Sequence, residues 1–111
     1  MAGARALLDE KDLPTAILCS HDFTAIGVIT TLQDAGFRVP QDVSVVGSDD
    51  VLHARLAQPP LTTVRMPREL LGKIAFEALE RMLGSERRPG REYVLETQLV
   101  IRHSSGPAMR P

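Results

Sequence analysis

The chain has 111 residues, 43% of them hydrophobic and 24% charged, with a formal net charge of -1. That is enough for about one small globular domain and too apolar for a disordered one, and the balanced charge excludes a basic face able to grip a phosphate backbone. A lone cysteine, Cys19, excludes an internal disulfide; no signal-peptide core precedes Asp9 and no window approaches the roughly 20 apolar residues of a membrane span, so a soluble, cytoplasmic protein is expected.

Residues 4–11 read as the end of an amphipathic helix, broken at Asp12, Leu13 and Pro14 because a residue before proline disfavours the helical conformation. Residues 15–20 are short, apolar and β-branched, which predicts a central strand buried on both faces. From Asp22 the positions Ala25, Val28, Ile29, Leu32 and Ala35 follow the spacing of one helix face, and Gly36 supplies the left-handed residue that ends it. After Pro40 and Asp42 a second buried strand runs through Val43, Val45 and Val46 and stops at Gly47. The unit is β-α-β, with a right-handed crossover and two parallel strands.

Residues 51–57 fit a short helix closed by Pro59 and Pro60, and residues 61–65 an extended segment. Pro67 suits the first turn of the longest helix, whose stripe is Leu70, Leu71, Ile74, Ala75, Ala78, Leu79, Met82 and Leu83, down to Gly84. On its polar side, Glu69 with Lys73 and Glu77 with Arg81 have the i,i+4 spacing of ion pairs. Residues 85–91 read as a polar loop, residues 93–102 as a strand or two strand pieces, and residues 104–111 as a loose tail.

Chemistry-bearing residues gather at the strand ends. His21 and Asp22 follow the first strand, Asp49 and Asp50 the second, and parallel pairing brings both sets to the sheet edge where open α/β sheets bind ligands. Asp22 and Asp50 are accounted for as a helix cap and a turn residue. That leaves His21 and Asp49 as the ligand candidates. Ser20, His21 and Asp22 supply the residue types of a hydrolytic relay, but side chains alternate along a strand and no G-x-S-x-G elbow exposes a nucleophile. No C-x-x-C, H-x-x-x-H or acidic calcium loop accompanies His21, His53, Cys19 and the acids, and neither Gly27 nor Gly47 belongs to a phosphate-cradling glycine loop. On the helix from Asp22, Phe23 and Ile26 form an apolar shoulder with Thr30. Either it is partly buried within the domain or it is a subunit contact.

With these motifs in view, PTAILCSHDFTAIGVITTLQDAGFRVPQDVSVVGSDD, then PPLTTVRMPRELLGKIAFEALERML and a closing LVIRHS resemble the carboxy-terminal part of the lactose-repressor and galactose-repressor family of bacterial transcription regulators, from Pro14 to Ser104. The resemblance implies an α/β fold, a three-layer parallel sheet with flanking helices forming part of a periplasmic-binding-protein-like lobe. It implies effector sensing and dimerisation without catalysis or cofactor, a small polar effector such as a sugar, a homodimer, and DNA contact only through an amino-terminal domain outside these residues. His21 stands where the family usually carries Asn or Asp on effector hydroxyls. Asp49 matches a frequent effector contact, and Ser48 replaces the usual aromatic beside it. Ile26 and Ala57 fall where the family makes its dimer contact, alongside Phe23 on the shoulder. The family's chain crosses between two lobes three times, so the helix over residues 66–83 is expected to pack on the other lobe, whose sheet comes from other sequence. A fragment of a transport-type sugar-binding protein is the competing reading, and an enzyme using His21 and Asp49 a more distant one.

Overall fold

Val43, Val45 and Val46 draw the chain into an extended segment that finds partners on both sides. In the computed structural model, which describes residues 2–9, 13–84 and 90–108, this is strand β2 (Ser44–Ser48). It runs parallel to β1 (Ala16–Leu18) on one side and to β3 (Thr62–Arg65) on the other. A fourth strand, β4 (Gln98–Val100), lies antiparallel to β3, giving the order β1-β2-β3-β4. The helices are α1 (Ala2–Leu8), α2 (Asp22–Asp34), α3 (Leu52–Leu56) and α4 (Arg68–Leu83). Two units result, residues 1–65 with 98–111 and residues 66–97. Residues 10–12, 85–89 and 109–111, on which parts of the predicted first helix, its break, the polar loop and the tail fall, lie outside the described residues.

Helix α2 forms despite several β-branched residues, which favour strands. Two of its threonines turn back on the helix, Thr30 Oγ1 donating to the Ile26 carbonyl at 3.1 Å and Thr31 Oγ1 to that of Gly27 at 2.8 Å. The decisive contribution is burial. Ala25, Val28, Ile29 and Leu32 pack with Val43, Val45, Ala54 and Leu61 into one core, each large side chain contributing about 1.5–3 kcal/mol. Beyond the helix the Gly36 amide donates to the Gln33 carbonyl and the Phe37 amide to that of Leu32, both at 2.9 Å, with Gly36 at φ 86°. This is the left-handed ending its glycine predicts. Ala35, counted on the buried face from spacing, lies past the last turn and is exposed.

Four expectations are corrected. β1 is an edge strand among the described residues, and Leu18 is 78% exposed instead of buried, because only β2 pairs with it. β2 does not stop at Gly47; it continues to Ser48, with Gly47 in register with Thr63. The sheet is mostly, not wholly, parallel. Arg65 and Gln98 are register partners, so the chain leaves β3 and returns at the same end, and β4 must run backwards. Lastly, residues 104–106 are no loose tail. Buried Ser104 donates from Oγ to the Val45 carbonyl at 2.5 Å and accepts from the Thr62 amide at 2.8 Å, while the Gly106 amide donates to Ser44 Oγ at 3.1 Å.

In the second unit, α4 buries none of its residues, and Leu70, Leu71, Leu79, Met82 and Leu83 of the predicted stripe are exposed, with Phe76 beside them. Neither i,i+4 pair closes to an ion pair among the described residues, as befits solvated long side chains whose pairing gains little over their lost rotamer freedom. No helix among the described residues is long and apolar enough to cross a membrane.

Candidate functional site

Parallel pairing delivers the carboxyl ends of β1, β2 and β3 to one edge of the sheet. Leu18 is the register partner of Val46, and both strands run on in the same direction, so His21 and Asp49 leave the sheet at matching positions. Ser48 sits beside them as the register partner of Val64. The three ligand candidates therefore share this edge.

Each is presented differently. His21 occupies the position before α2 with an extended backbone (φ -145°, ψ 153°), makes no cap bond, and is exposed. Its Nδ1 lies 2.9 Å from Ser20 Oγ. Ser48 is half-buried at the end of β2. Asp49 is half-buried too, but its backbone stands at φ 119°, a region that L side chains avoid at a cost of about 1–3 kcal/mol. Its amide donates to the Val64 carbonyl at 2.9 Å, whereas no group among the described residues pairs with its carboxylate.

The neighbouring acids do more than cap and turn. Asp22 is the first residue of α2, yet its fully buried carboxylate serves other elements: Oδ2 accepts from the Val51 amide at the start of α3 at 2.9 Å, and Oδ1 accepts from Thr63 Oγ1 on β3 at 2.5 Å. Asp50 does hold a turn conformation, φ 54°, but is only 5% exposed. Arg65 Nε donates to its Oδ2 at 2.6 Å and an Arg102 terminal nitrogen to its Oδ1 at 2.5 Å, with Arg55 3.7 Å away. Burial pushes the Asp50 carboxyl up; the hydrogen bonds from Arg102 and Arg65 together outweigh it and hold the group below the usual carboxylate range.

Sequence reasoning missed Arg65, Arg102 and Thr63. The one signal available was polar alternation on β3, where Thr63 and Arg65 occupy the same face, but their acidic partners lie far away in sequence and only strand order pairs them. The subunit-contact candidates divide. Phe23 is 61% exposed, its ring 5.1 Å from that of His53, whereas Ile26 and Ala57 are half-buried against the core. On α3, Leu52 and Leu56, unremarked in the sequence, are exposed as well. No group of three His, Cys, Asp or Glu side chains able to hold a metal stands together among the described residues.

A model of the periplasmic binding protein-like domain matches residues 1–105. The ribose operon repressor of Haemophilus influenzae is 39% identical over 102 residues, which is 92% of this chain and 31% of that protein. Among solved structures, a transcriptional regulator CelR–cellobiose complex is similar at 39% identity with a TM-score of 0.82, over 94% of this chain and 32% of that one. The lac repressor dimer bound to operator and the anti-inducer ONPF is similar at 32% identity with a TM-score of 0.83, over 94% and 36%. The chain thus spans about a third of the length of each protein it matches.

Proposed function

Since the chain belongs to the periplasmic binding protein-like family of LacI-type transcription regulators, we propose that it is the effector-sensing and dimerisation portion of such a repressor. It binds, rather than transforms, a small polar metabolite such as a sugar. The observation that carries this reading is the Asp49 carboxylate, left without a partner among the described residues and presented on a strained backbone beside His21 and Ser48. A carboxylate so placed accepts hydrogen bonds from hydroxyl groups, and the His21 ring offers a second polar contact across the same edge. Asp50, by contrast, is already satisfied by arginines, so Asp49 is the acid available to an effector.

The rest of the family architecture follows on the same premise. The α4 stripe over residues 66–83 belongs against a second lobe, and operator contact belongs to a helix-turn-helix domain, since the charge of -1 provides no phosphate-binding face. Phe23, Leu52 and Leu56, flanked by Ile26 and Ala57, form the homodimer surface. A cytoplasmic site of action accords with this role.

Calorimetric titration with ribose, cellobiose, other small sugars and nucleosides tests the reading. One of these ligands binds the wild-type polypeptide, and Asp49→Ala weakens that binding about tenfold or more through loss of a charge-assisted hydrogen bond. Undiminished affinity in the variant would remove Asp49 from the site.

A further inference from the structure

The Asp49-Asp50 turn is awkward twice over, with two successive non-glycine residues at positive φ, 119° and 54°. Its flanks are fixed: the Asp49 amide is tied to β3 through the Val64 carbonyl, and the Val51 amide to Asp22 Oδ2. Those two bonds alone do not hold the turn, because rotation about the Asp49 N–Cα bond relieves the positive φ there and tips the amide off the Val64 carbonyl. Such a rotation would swing the Asp49 carboxylate away from the sheet edge.

We propose that Arg65 and Arg102 are positioning residues for the effector site: by gripping the Asp50 carboxylate they lock the strained turn that presents Asp49. The proposal rests on the reading of Asp49 as an effector contact. Three features support it. Both Asp50 oxygens are engaged, Oδ1 by Arg102 and Oδ2 by Arg65, so the carboxylate has one permitted orientation. Arg102 is itself immobilised, its Nη1 donating to the Leu61 carbonyl at 2.8 Å and its backbone amide to Thr62 Oγ1 at 2.9 Å, with only 14% of the side chain exposed. Arg65 is steadied by Gln98 Oε1 at 3.3 Å. The two arginines come from β3 and from the segment after β4, so the turn is held by parts of the chain that carry no candidate ligand residue. They also offset the charge of Asp50.

Amide hydrogen exchange on the chain itself tests the lock without any effector. The Asp49 amide reports the turn, and the Cys19 amide, bonded to the Val46 carbonyl at 2.8 Å, reports the sheet. Asp50→Asn keeps the side-chain shape and tolerance of positive φ but loses the charge, so exchange at Asp49 should accelerate about tenfold or more while Cys19 is unchanged. Arg102→Gln should do the same, and Arg102→Lys should recover part of the protection. In an Asp49→Gly background, where φ 119° carries no strain, Asp50→Asn should accelerate exchange at residue 49 by less than about threefold. If Asp50→Asn also strips protection from Cys19, Arg65→Gln is read by the same ratio, Arg65 being the more exposed of the two arginines. Equal acceleration with and without the Asp49→Gly substitution, or an Asp49 amide indifferent to every variant, would overturn the proposal. Because no effector is present, these results stand apart from the Asp49→Ala titration, which alone judges the effector reading.

Discussion

Asp22, the first residue of α2, reaches across β2 to accept a hydrogen bond from Thr63 on β3 at 2.5 Å. The strand it passes is open there because residue 47 is glycine. A Cβ at that position would overlap Asp22 Oδ1 and stand 2.9 Å from Leu61 Cδ2, both fully buried side chains with no room to withdraw. Gly47 is therefore a packing requirement, and its φ is not positive.

Gly47→Ala accordingly destabilises the fold even though alanine is the better strand residue in isolation. The crowding costs about 1–3 kcal/mol, the range for forcing extra atoms into a packed core. Urea denaturation should show a lower midpoint with an unchanged slope. A variant as stable as the parent would mean that Asp22 can move and that its bond to Thr63 is not holding β3.

The relation between Asp22 and Thr63 also shows where sequence reading succeeds and where it stops. Periodicity found α2 and its buried face, and the positions of His21 and Asp49 followed from two strand ends and the expectation of parallel pairing. What it did not reach was the tertiary bonding of the acids directly after them. In both His21-Asp22 and Asp49-Asp50 the first residue is the more exposed and the second is buried, and nothing local distinguishes a capping acid from one tied to a partner 41 or 52 residues away. The antiparallel return of β4 was hidden for the same reason: its direction depends on the place where the chain re-enters the sheet, which residues 98–100 do not encode. Ser104 looked like tail because its two bonds are made to Val45 and Thr62, partners that become visible only once the strands are aligned.

A pH dependence follows from the turn before β2. The Arg38 guanidinium and then the Arg38 backbone amide hydrogen-bond the Asp42 carboxylate and hold its pKa at about 2, against an ordinary 3.8. A pKa depressed on folding means that the unfolded chain binds the proton more tightly. The stabilisation is therefore complete above about 3.8 and drains away as pH falls towards about 2. Asp50, lowered in the same direction, adds to the slope. Denaturation midpoints measured between neutral and strongly acid pH should fall across this window, and Asp42→Asn should flatten part of the fall. A variant with the parent's slope would show that the Arg38 pair forms equally in the unfolded chain.

Association is the remaining part of the proposal to test, and the structure separates the candidate residues by what each supports. Ile26 and Ala57 lean on the core, so a charge at either disturbs folding as well as any contact. Leu56 is different. It projects from α3 with 68% of its surface exposed, so Leu56→Asp leaves the core intact and strikes only a partner. If the surface of Phe23, Leu52 and Leu56 joins two copies, Leu56→Asp should raise the dimer dissociation constant about tenfold or more, as loss of a central apolar contact does, while the urea midpoint of the dilute protein stays put. Sedimentation equilibrium reads the first quantity and circular dichroism the second. Leu83→Asp on α4 serves as the comparison, since Leu83 is 80% exposed in the other unit. Should Leu83→Asp abolish association and Leu56→Asp spare it, the copies meet through α4 and the surface on α2 and α3 is not the dimer contact.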